Sequence, residues 1–226
     1  MLLHIPELLT SEQVAQCRRI IDGAEWADGR ETAGYQAARV KNNAQLKKDS
    51  PAIREAGTIV MSALSGNDLF KSAARPHKVY PPNFNRYSAG QAYGVHFDTA
   101  IIRVPGTPLS LRADLSATVF LNDPGEYDGG ELVIDDMYGP HEVKLSSGDM
   151  ILYPAGSLHQ VRPVTRGERI ASFFWIQSTV RDDNERLLLF ELESVIDRIA
   201  PVVADPGAVM QLTSIYQNLL RRWTNV

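Results

Sequence analysis

Residues 86–100 read RYSAGQAYGVHFDTA, and within them a histidine and an aspartate lie two positions apart in a run typical of a β-strand. Side chains along a strand point alternately to its two faces, so we expect His96 and Asp98 on the same face. An imidazole and a carboxylate on one face can bind one metal ion together. This His-x-Asp pattern alone is a weak indication, because any strand can contain it.

A second histidine strengthens the prediction of a metal site. His159 lies in GDMILYPAGSLHQVRPV, residues 148–164, at the start of another predicted strand. Two histidines and one carboxylate are the ligand set of non-haem iron(II) oxygenases, and this set leaves coordination positions open. Oxygen and a bidentate 2-oxo acid together fill those positions. We therefore predict that His96, Asp98 and His159 hold Fe(II) and carry the catalysis.

An arginine ten residues after His159 fits the same chemistry. Arg169 follows the turn TRGE, and two antiparallel strands joined by that turn bring it near the metal. A guanidinium binds a carboxylate through two hydrogen bonds, so Arg169 is predicted to fix the distal carboxylate of 2-oxoglutarate. Tyr87, nine residues before His96, is predicted to donate a hydrogen bond to the same carboxylate, with Tyr93 as a competitor for that role.

The chain around these residues, about 76–180, is predicted to form β structure. Short strand-like runs recur in it and are separated by the turn signals NDPGEYDGG, DMYGPH, SSGD and TRGE. Many short strands at regular spacing are typical of a sandwich or a barrel. The sequence therefore predicts a mainly β protein with flanking helices.

Helical patterns flank this core on both sides. Residues 1–75 are expected to be mainly helical, with a capping box at Thr10 and Gln13, a helix start at Ser50-Pro51, and loop and edge strand in WADGRETAGYQAARVKNN between them. Residues 181–226 contain two apolar stripes at helical spacing, which would pack on the β core or on a second subunit. We divide the chain into an oxygenase domain, 1–180, with its β core at 76–180, and a helical extension, 181–226.

Composition limits the class of protein. The formal net charge of the 226 residues is -4, so there is no basic excess for sequence-independent binding of nucleic acid. The single cysteine excludes an intrachain disulfide and a thiolate metal cluster. No apolar run has the length of a membrane span, and the N-terminus does not resemble a signal peptide. We expect a soluble, cytoplasmic protein.

Longer blocks of sequence resemble one family. DGRETAGYQAARVKNNAQL, FNRYSAGQAYGVHFD, DGGELVI and YPAGSLHQVRPVTRGERIASFFWIQS are similar to the bacterial PKHD-type hydroxylases, a branch of the prolyl 4-hydroxylase-like 2-oxoglutarate dioxygenases. The resemblance extends over nearly the whole chain. It implies a double-stranded β-helix (jelly-roll) fold, iron ligands at His96, Asp98 and His159, and a 2-oxoglutarate contact at Arg169.

The resemblance carries further expectations. The family is associated with iron uptake and often uses ascorbate as an auxiliary reductant, although no residue of this sequence shows a need for ascorbate. The amphipathic tail and the habit of the family favour a homodimer. The substrate stays open between a peptide, a free amino acid and an iron-chelating small molecule, because fold and cofactor do not determine the substrate.

Two other functions compete with the dioxygenase. One is a cupin-like metal enzyme that does not use 2-oxoglutarate, and the other is a non-catalytic sensor of iron or 2-oxoglutarate. Some residues also have two open interpretations. Trp175 lies on the same strand face as Arg169, so it either lines the pocket or packs in the core. A polar group in the loop-and-edge segment lines either the substrate entrance or a solvated edge: Arg39, Lys41, Asn42 and Asn43.

Overall fold

The computed structural model describes residues 1–32, 37–104 and 106–225. Within these ranges the chain forms seventeen strands and five α-helices, and all the paired strands are antiparallel. The strands are β1 (Leu3–Ile5), β2 (Trp26–Asp28), β3 (Lys41–Asn42), β4 (Ala44–Leu46), β5 (Pro76–Val79), β6 (Asn83–Ser88), β7 (Ala92–His96), β8 (Ile101–Arg103), β9 (Ser110–Arg112), β10 (Leu115–Phe120), β11 (Asp128–Gly129), β12 (Leu132–Asp136), β13 (Gly139–Val143), β14 (Met150–Pro154), β15 (His159–Val161), β16 (Val164–Arg166) and β17 (Glu168–Ser178). The helices are α1 (Ser11–Asp22), α2 (Pro51–Gly66), α3 (Asp68–Ala74), α4 (Asp183–Ile199) and α5 (Pro206–Trp223).

Two sheets form the core. The larger has the strand order β1-β14-β10-β17-β6-β4-β2, with β5 also paired to β17, and the smaller has the order β13-β12-β15-β7-β3. Side chains from both sheets meet in one buried apolar cluster, with Tyr87 and Ile151 from the larger sheet and Leu132, Val143 and Val161 from the smaller. This is the jelly-roll arrangement, so the predicted fold class is confirmed.

Strand β17 is the central element of the larger sheet. It pairs with β10 on one side and with β6 and β5 on the other. Its Ile170, Phe174 and Ile176 belong to the apolar cluster that packs on the helices, whereas Arg169 and Trp175 line the cavity between the sheets. One strand therefore contributes both to the core and to the candidate site.

Helices α1 and α2 cover the other face of the larger sheet. Helix α1 begins with the predicted capping box, in which Thr10 and Gln13 bond to each other's backbone N–H groups. Its Val14, Cys17 and Ile21 are buried, as the helical spacing predicts. Ser50 caps α2 immediately before Pro51, so the second predicted helix start is also confirmed.

The N-terminal segment contains more β structure than the sequence pattern indicates. Besides α1, α2 and α3, it contributes β1 to β4 to the two sheets. Strand β1 pairs with β14 at the edge of the larger sheet. None of these four strands exceeds three residues, which is too short to show a period of two, so long-range pairing determines them. Residues 33–36 of the predicted loop lie outside the described residues.

Helices α4 and α5 form an antiparallel pair with a small core of their own. Val180, Leu189, Ile196 and Tyr216 are buried in it. Leu188 and Val195, which the helical stripe would bury, are 54% and 38% exposed. The stripe therefore only partly faces the rest of the chain.

The Glu193 carboxylate links this helical tail to α3 by hydrogen bonds. Glu193 of α4 accepts hydrogen bonds from Ser72, from Arg75 at 3.0 Å and from Tyr216 at 2.5 Å. The Arg75 side chain is largely buried and lies over the Tyr216 ring. These contacts join three helices through one carboxylate.

None of the helices in the described ranges combines the length and the apolar character that crossing a membrane requires.

We expect Glu193→Ala to lower the free energy of unfolding by about 2 kcal/mol, because it leaves the largely buried Arg75 guanidinium and the Tyr216 hydroxyl without their acceptor. Urea unfolding followed by circular dichroism measures the difference. The matched control is Glu191→Ala, two residues earlier at an exposed position of the same helix, which should change stability by less than about 0.5 kcal/mol. Equal effects of the two substitutions would contradict the role of Glu193.

Candidate metal centre and its cavity

Two paired strands and the residues after one of them bring the predicted metal ligands together. His96 is the last residue of β7 and His159 is the first residue of β15, and the two are direct partners in the antiparallel pairing. Asp98 follows His96 by two residues, and its Oδ2 lies 3.8 Å from Nε2 of His159. One donor atom from each of the three residues lies within 4.8 Å of the others.

Backbone carbonyls orient both imidazoles. Nδ1 of His96 lies 2.8 Å from the Gly94 carbonyl, and Nδ1 of His159 lies 2.9 Å from the Ser157 carbonyl. A carbonyl oxygen only accepts, so each Nδ1 carries a proton and each Nε2 keeps its lone pair for a metal. Burial lowers the pKa of His96 to about 4, and the neighbouring His159 acts in the same direction. His96 is therefore neutral near pH 7, the state that a metal ligand needs.

A serine orients the carboxylate. Ser116 of β10 donates a hydrogen bond of 2.5 Å from its hydroxyl to Oδ2 of Asp98. Strand β10 belongs to the larger sheet, so this bond connects the two sheets at the site. Two imidazoles and one oriented carboxylate suit a divalent first-row metal ion such as Fe(II).

Arg169 lies deep in the same cavity. It is 1% exposed, and its Nε and Nη1 have no hydrogen-bond partner among the described residues. Its guanidinium carbon lies 5.5 Å from the centre of the Tyr87 ring and 5.2 Å from that of Phe120. A buried cation with unused donors is costly, and a carboxylate that accepted from them would offset the cost. The site therefore fits the distal carboxylate of a 2-oxo dicarboxylic acid.

A glycine makes room for this arginine. A Cβ on Gly130 would lie 3.2 Å from Cδ of Arg169, 3.1 Å from the Tyr127 ring and 3.0 Å from Val164. Gly130 also has a φ of +68°, which residues with a Cβ rarely adopt. Within the DGGELVI block, Gly130 therefore leaves the space that the Arg169 side chain needs.

The cavity between the sheets has a volume of about 340 Å³, and all five predicted site residues line it. Tyr87 is the direct strand partner of Arg169, and burial raises its pKa to about 12, so its hydroxyl keeps its proton. The ring of Tyr93, the alternative to Tyr87, stacks on His96 with ring centres 3.5 Å apart. The structure therefore places Tyr87 beside the arginine and Tyr93 beside the metal ligands.

Some residues for which the sequence left two roles open line the cavity, and others are exposed at the surface. Trp175 lines the cavity and packs edge-on against Tyr80. Lys41 and Asn43 are buried, and Lys41 lines the cavity, whereas Arg39 and Asn42 are exposed. Side chains alternate between the two faces of a strand, which explains why Lys41 and Asn43 are buried while Asn42 between them is exposed.

Sequence reasoning missed a polar row on β10. Ser116 and Thr118 line the cavity, although β10 reads as a wholly buried strand. Two hydroxyl residues at alternate positions in LSATVF were a usable signal, because they share one face. Tyr153, edge-on to the His159 ring at 5.3 Å, was also missed, and nothing local in its sequence distinguishes it from a core residue.

Comparisons with known proteins agree with this geometry. The family model of the 2OG-Fe(II) oxygenase superfamily matches residues 82–177, and that of the PKHD-type hydroxylase C-terminal domain matches residues 183–225. The chain is 57% identical to a PKHD-type hydroxylase of Burkholderia thailandensis and 55% identical to one of Stenotrophomonas maltophilia, and both matches cover the whole of each chain.

Solved structures share the fold at low sequence identity. A Pseudomonas putida prolyl-4-hydroxylase aligns with a TM-score of 0.51 and 22% identity, over 78% of this chain and 92% of that one. HygX from Streptomyces hygroscopicus, solved with nickel and 2-oxoglutarate bound, aligns with a TM-score of 0.53 and 14% identity, over 79% of this chain and 83% of that one.

We expect Gly130→Ala to destabilise the protein by about 1–3 kcal/mol, because the new methyl group meets Arg169 and Tyr127 at a positive φ. Gly66→Ala is the control, since Gly66 ends α2 with no atom within 4 Å of the added carbon. Urea unfolding of both variants measures the difference. A loss of stability no larger for Gly130→Ala than for Gly66→Ala would show that the clearance at Arg169 is unimportant.

Proposed function

The chain belongs to the PKHD-type hydroxylases, and on that basis we propose that His96, Asp98 and His159 hold the catalytic Fe(II) while Arg169 and Tyr87 bind 2-oxoglutarate. As a member of this family the protein is an Fe(II)- and 2-oxoglutarate-dependent dioxygenase, a hydroxylase. The observation that carries the residue assignment is the convergence of three donor atoms within 4.8 Å in the same cavity as a buried arginine with unused donors.

The bound cofactors would supply the chemistry, whereas the protein orients the groups that hold them. Fe(II) and 2-oxoglutarate, when bound, supply oxygen activation coupled to decarboxylation, with succinate and carbon dioxide released and a C–H bond hydroxylated. The protein orients the donor atoms: the Gly94 and Ser157 carbonyls fix the two imidazoles, and Ser116 fixes Asp98. Three protein donors held in this way would bind the metal ion and leave coordination positions for the reactants.

The cosubstrate end of the cavity is built from β6 and β17. Arg169 offers donors that no described residue uses, and Tyr87 offers a protonated hydroxyl beside it. The rings of Phe120 and Tyr87 border the guanidinium and would shield from water an ion pair formed there. An ion pair formed in an apolar surrounding is stronger than one formed in water, so this end favours a dicarboxylate over a simple 2-oxo acid.

The substrate that we propose is a small molecule or a peptide with a hydroxylatable C–H bond. The iron-uptake association of the family makes a molecule involved in iron acquisition a reasonable first choice. Use of ascorbate as an auxiliary reductant and assembly as a homodimer through the partly exposed tail helices stay predictions. A sensor that turns over 2-oxoglutarate without hydroxylating a product remains the alternative that the experiment below addresses.

Anaerobic protein with Fe(II) and 2-oxoglutarate should develop a visible metal-to-ligand charge-transfer band. Asp98→Ala should abolish it, because one of three ligands is lost. Arg169→Leu should raise the Kd for 2-oxoglutarate by about 100-fold, as expected for the loss of charge-assisted hydrogen bonds. The control is Arg166→Leu, three residues earlier, whose guanidinium is exposed and pairs with Asp128. It should leave the Kd unchanged.

The outcomes separate the competing functions. Iron bound without a band would mean that the site binds metal but not the 2-oxo acid, as in a cupin-like enzyme. A band followed, on admission of oxygen, by succinate release without any hydroxylated product in a substrate screen would favour the sensor.

Ser116→Ala should weaken Fe(II) binding about 10- to 100-fold, because groups that orient metal ligands typically contribute that much to affinity. Competition with a chromophoric chelator under nitrogen measures the change. Ser110→Ala, at an exposed position on β9, is the control and should bind Fe(II) as the wild type does. If Ser116→Ala also kept full affinity, Asp98 would be oriented without the serine.

A further inference from the structure

The cavity around the candidate metal site has a positive lining. Its described charged side chains are four basic residues, Lys41, Lys48, Arg103 and Arg169, and one acidic residue, Asp98. The whole chain has the opposite balance, with 27 acidic and 23 basic residues. The positive charge is therefore concentrated at the cavity and does not reflect the average composition.

Cofactor binding uses only part of this charge. Fe(II) with its two positive charges and Arg169 with one would offset Asp98 with one negative charge and 2-oxoglutarate with two, since an imidazole that binds a metal ion is neutral. Lys41, Lys48 and Arg103 also line the cavity, and they add three positive charges to its lining beyond that of Arg169. Charge complementarity favours a substrate of negative charge there.

Lys41 lies near the metal ligands. Its ammonium stands 5.1 Å from the centre of the Tyr93 ring, and that ring stacks on His96. The lysine is 7% exposed, and burial lowers its pKa to about 8, while the Asp98 carboxylate opposes the shift. The lysine thus places a positive charge on the cavity wall near the proposed metal ligands, where an anionic group of a substrate can approach it.

A second groove continues from the cavity and extends the positive lining. Lys48, Tyr80 and Asn83 border both spaces, and the groove adds Arg54 and no acidic residue to the described lining. Its volume is about 500 Å³, and its wall is largely apolar, with Met61, Val79, Pro82 and Val104. Because 2-oxoglutarate occupies part of the 340 Å³ cavity, a substrate longer than a few atoms would extend into this groove.

We infer that the substrate is an elongated organic anion, whose acid group binds to Lys41 and Lys48 while its apolar part extends along the groove on α2. The inference rests on the proposed function, because it takes Fe(II) and 2-oxoglutarate to be bound in the same cavity. It narrows the substrate class from any small molecule or peptide to one with an acid group within reach of the reacting C–H bond.

The test compares two probes that differ only in charge, 4-phenylbutanoate and 4-phenylbutanamide. Each is titrated calorimetrically under nitrogen into protein saturated with Fe(II) and 2-oxoglutarate. Wild-type protein should bind the carboxylate at least about tenfold more tightly than the amide, the gain expected from one charge-assisted contact. Lys41→Met should reduce this preference to within about threefold, and Lys48→Met should reduce it in part. Lys41→Arg should keep it.

Lys47→Met is the matched control. Lys47 is next to Lys48 in the chain but pairs with Glu25 at 2.5 Å and lies outside the lining of both spaces, so the preference should be unchanged. No carboxylate preference in the wild type, or a full preference in Lys41→Met, would overturn the inference. Since Lys48 is exposed, Lys48→Met provides a test that does not depend on tolerance of a buried substitution.

The charge-transfer band shows whether a negative result refutes the anionic substrate or the proposed function itself. Its presence in each protein before titration shows that Fe(II) and 2-oxoglutarate are bound, and its persistence shows that the probe has not displaced 2-oxoglutarate from Arg169. A missing band in the wild type would refute the cofactor assignment. A band without any carboxylate preference would refute only the anionic substrate.

Discussion

The antiparallel pairing of β17 with β10 and β6 determines which residues of the larger sheet line the cavity. Through β10 it fixes Ser116 opposite Trp175, and through β6 it fixes Tyr87 opposite Arg169. Ser116 then reaches the smaller sheet by its hydrogen bond to Asp98, close to the paired β7 and β15. Because side chains alternate along each strand, a shift of one residue in either pairing would turn the cavity-lining residues of β17 towards the helices. The positions of Arg169 and of Ser116, which donates to the proposed metal ligand Asp98, therefore depend on the same register.

The site also shows how the chain distributes charge. Burial lowers the pKa of His96, and the carboxylate of the proposed ligand set is that of Asp98. Arg169 is buried beside the Tyr87 and Phe120 rings, and the Lys41 ammonium lies 5.1 Å from the centre of the Tyr93 ring. Cationic groups thus border the cavity at separate points. This spacing suits two different anions, a cosubstrate at one end and a substrate at the other.

Much of the site was predictable because its residues are ordered by simple spacing. His96 and Asp98 lie two apart, and Arg169 follows the turn after His159. The strand pairing that brings His159 opposite His96 was not predictable, since it joins residues 63 positions apart across a bulge. The same limit applies to Ser116, whose partner Asp98 is on a different element, and to Lys41, whose two-residue strand shows no period. The prediction that residues 1–75 are mainly helical misses four short strands for a similar reason. These strands form by pairing with distant strands, which the local sequence does not reveal.

The helical tail leaves and rejoins the sheets at one place. Val180 and Thr224 form an isolated antiparallel bridge, and the N–H of Asn225 donates to the carbonyl of Thr179. Between these points, α4 and α5 bury only a few apolar side chains of their own. Such an element can open as one cooperative unit at a lower free energy than the sheets need, because few contacts with the sheets must break. Amide protons of α4 and α5 would then exchange together and earlier than those of β17. The Glu193 contacts set the frequency of that opening, and with it the exposure of the tail to proteases.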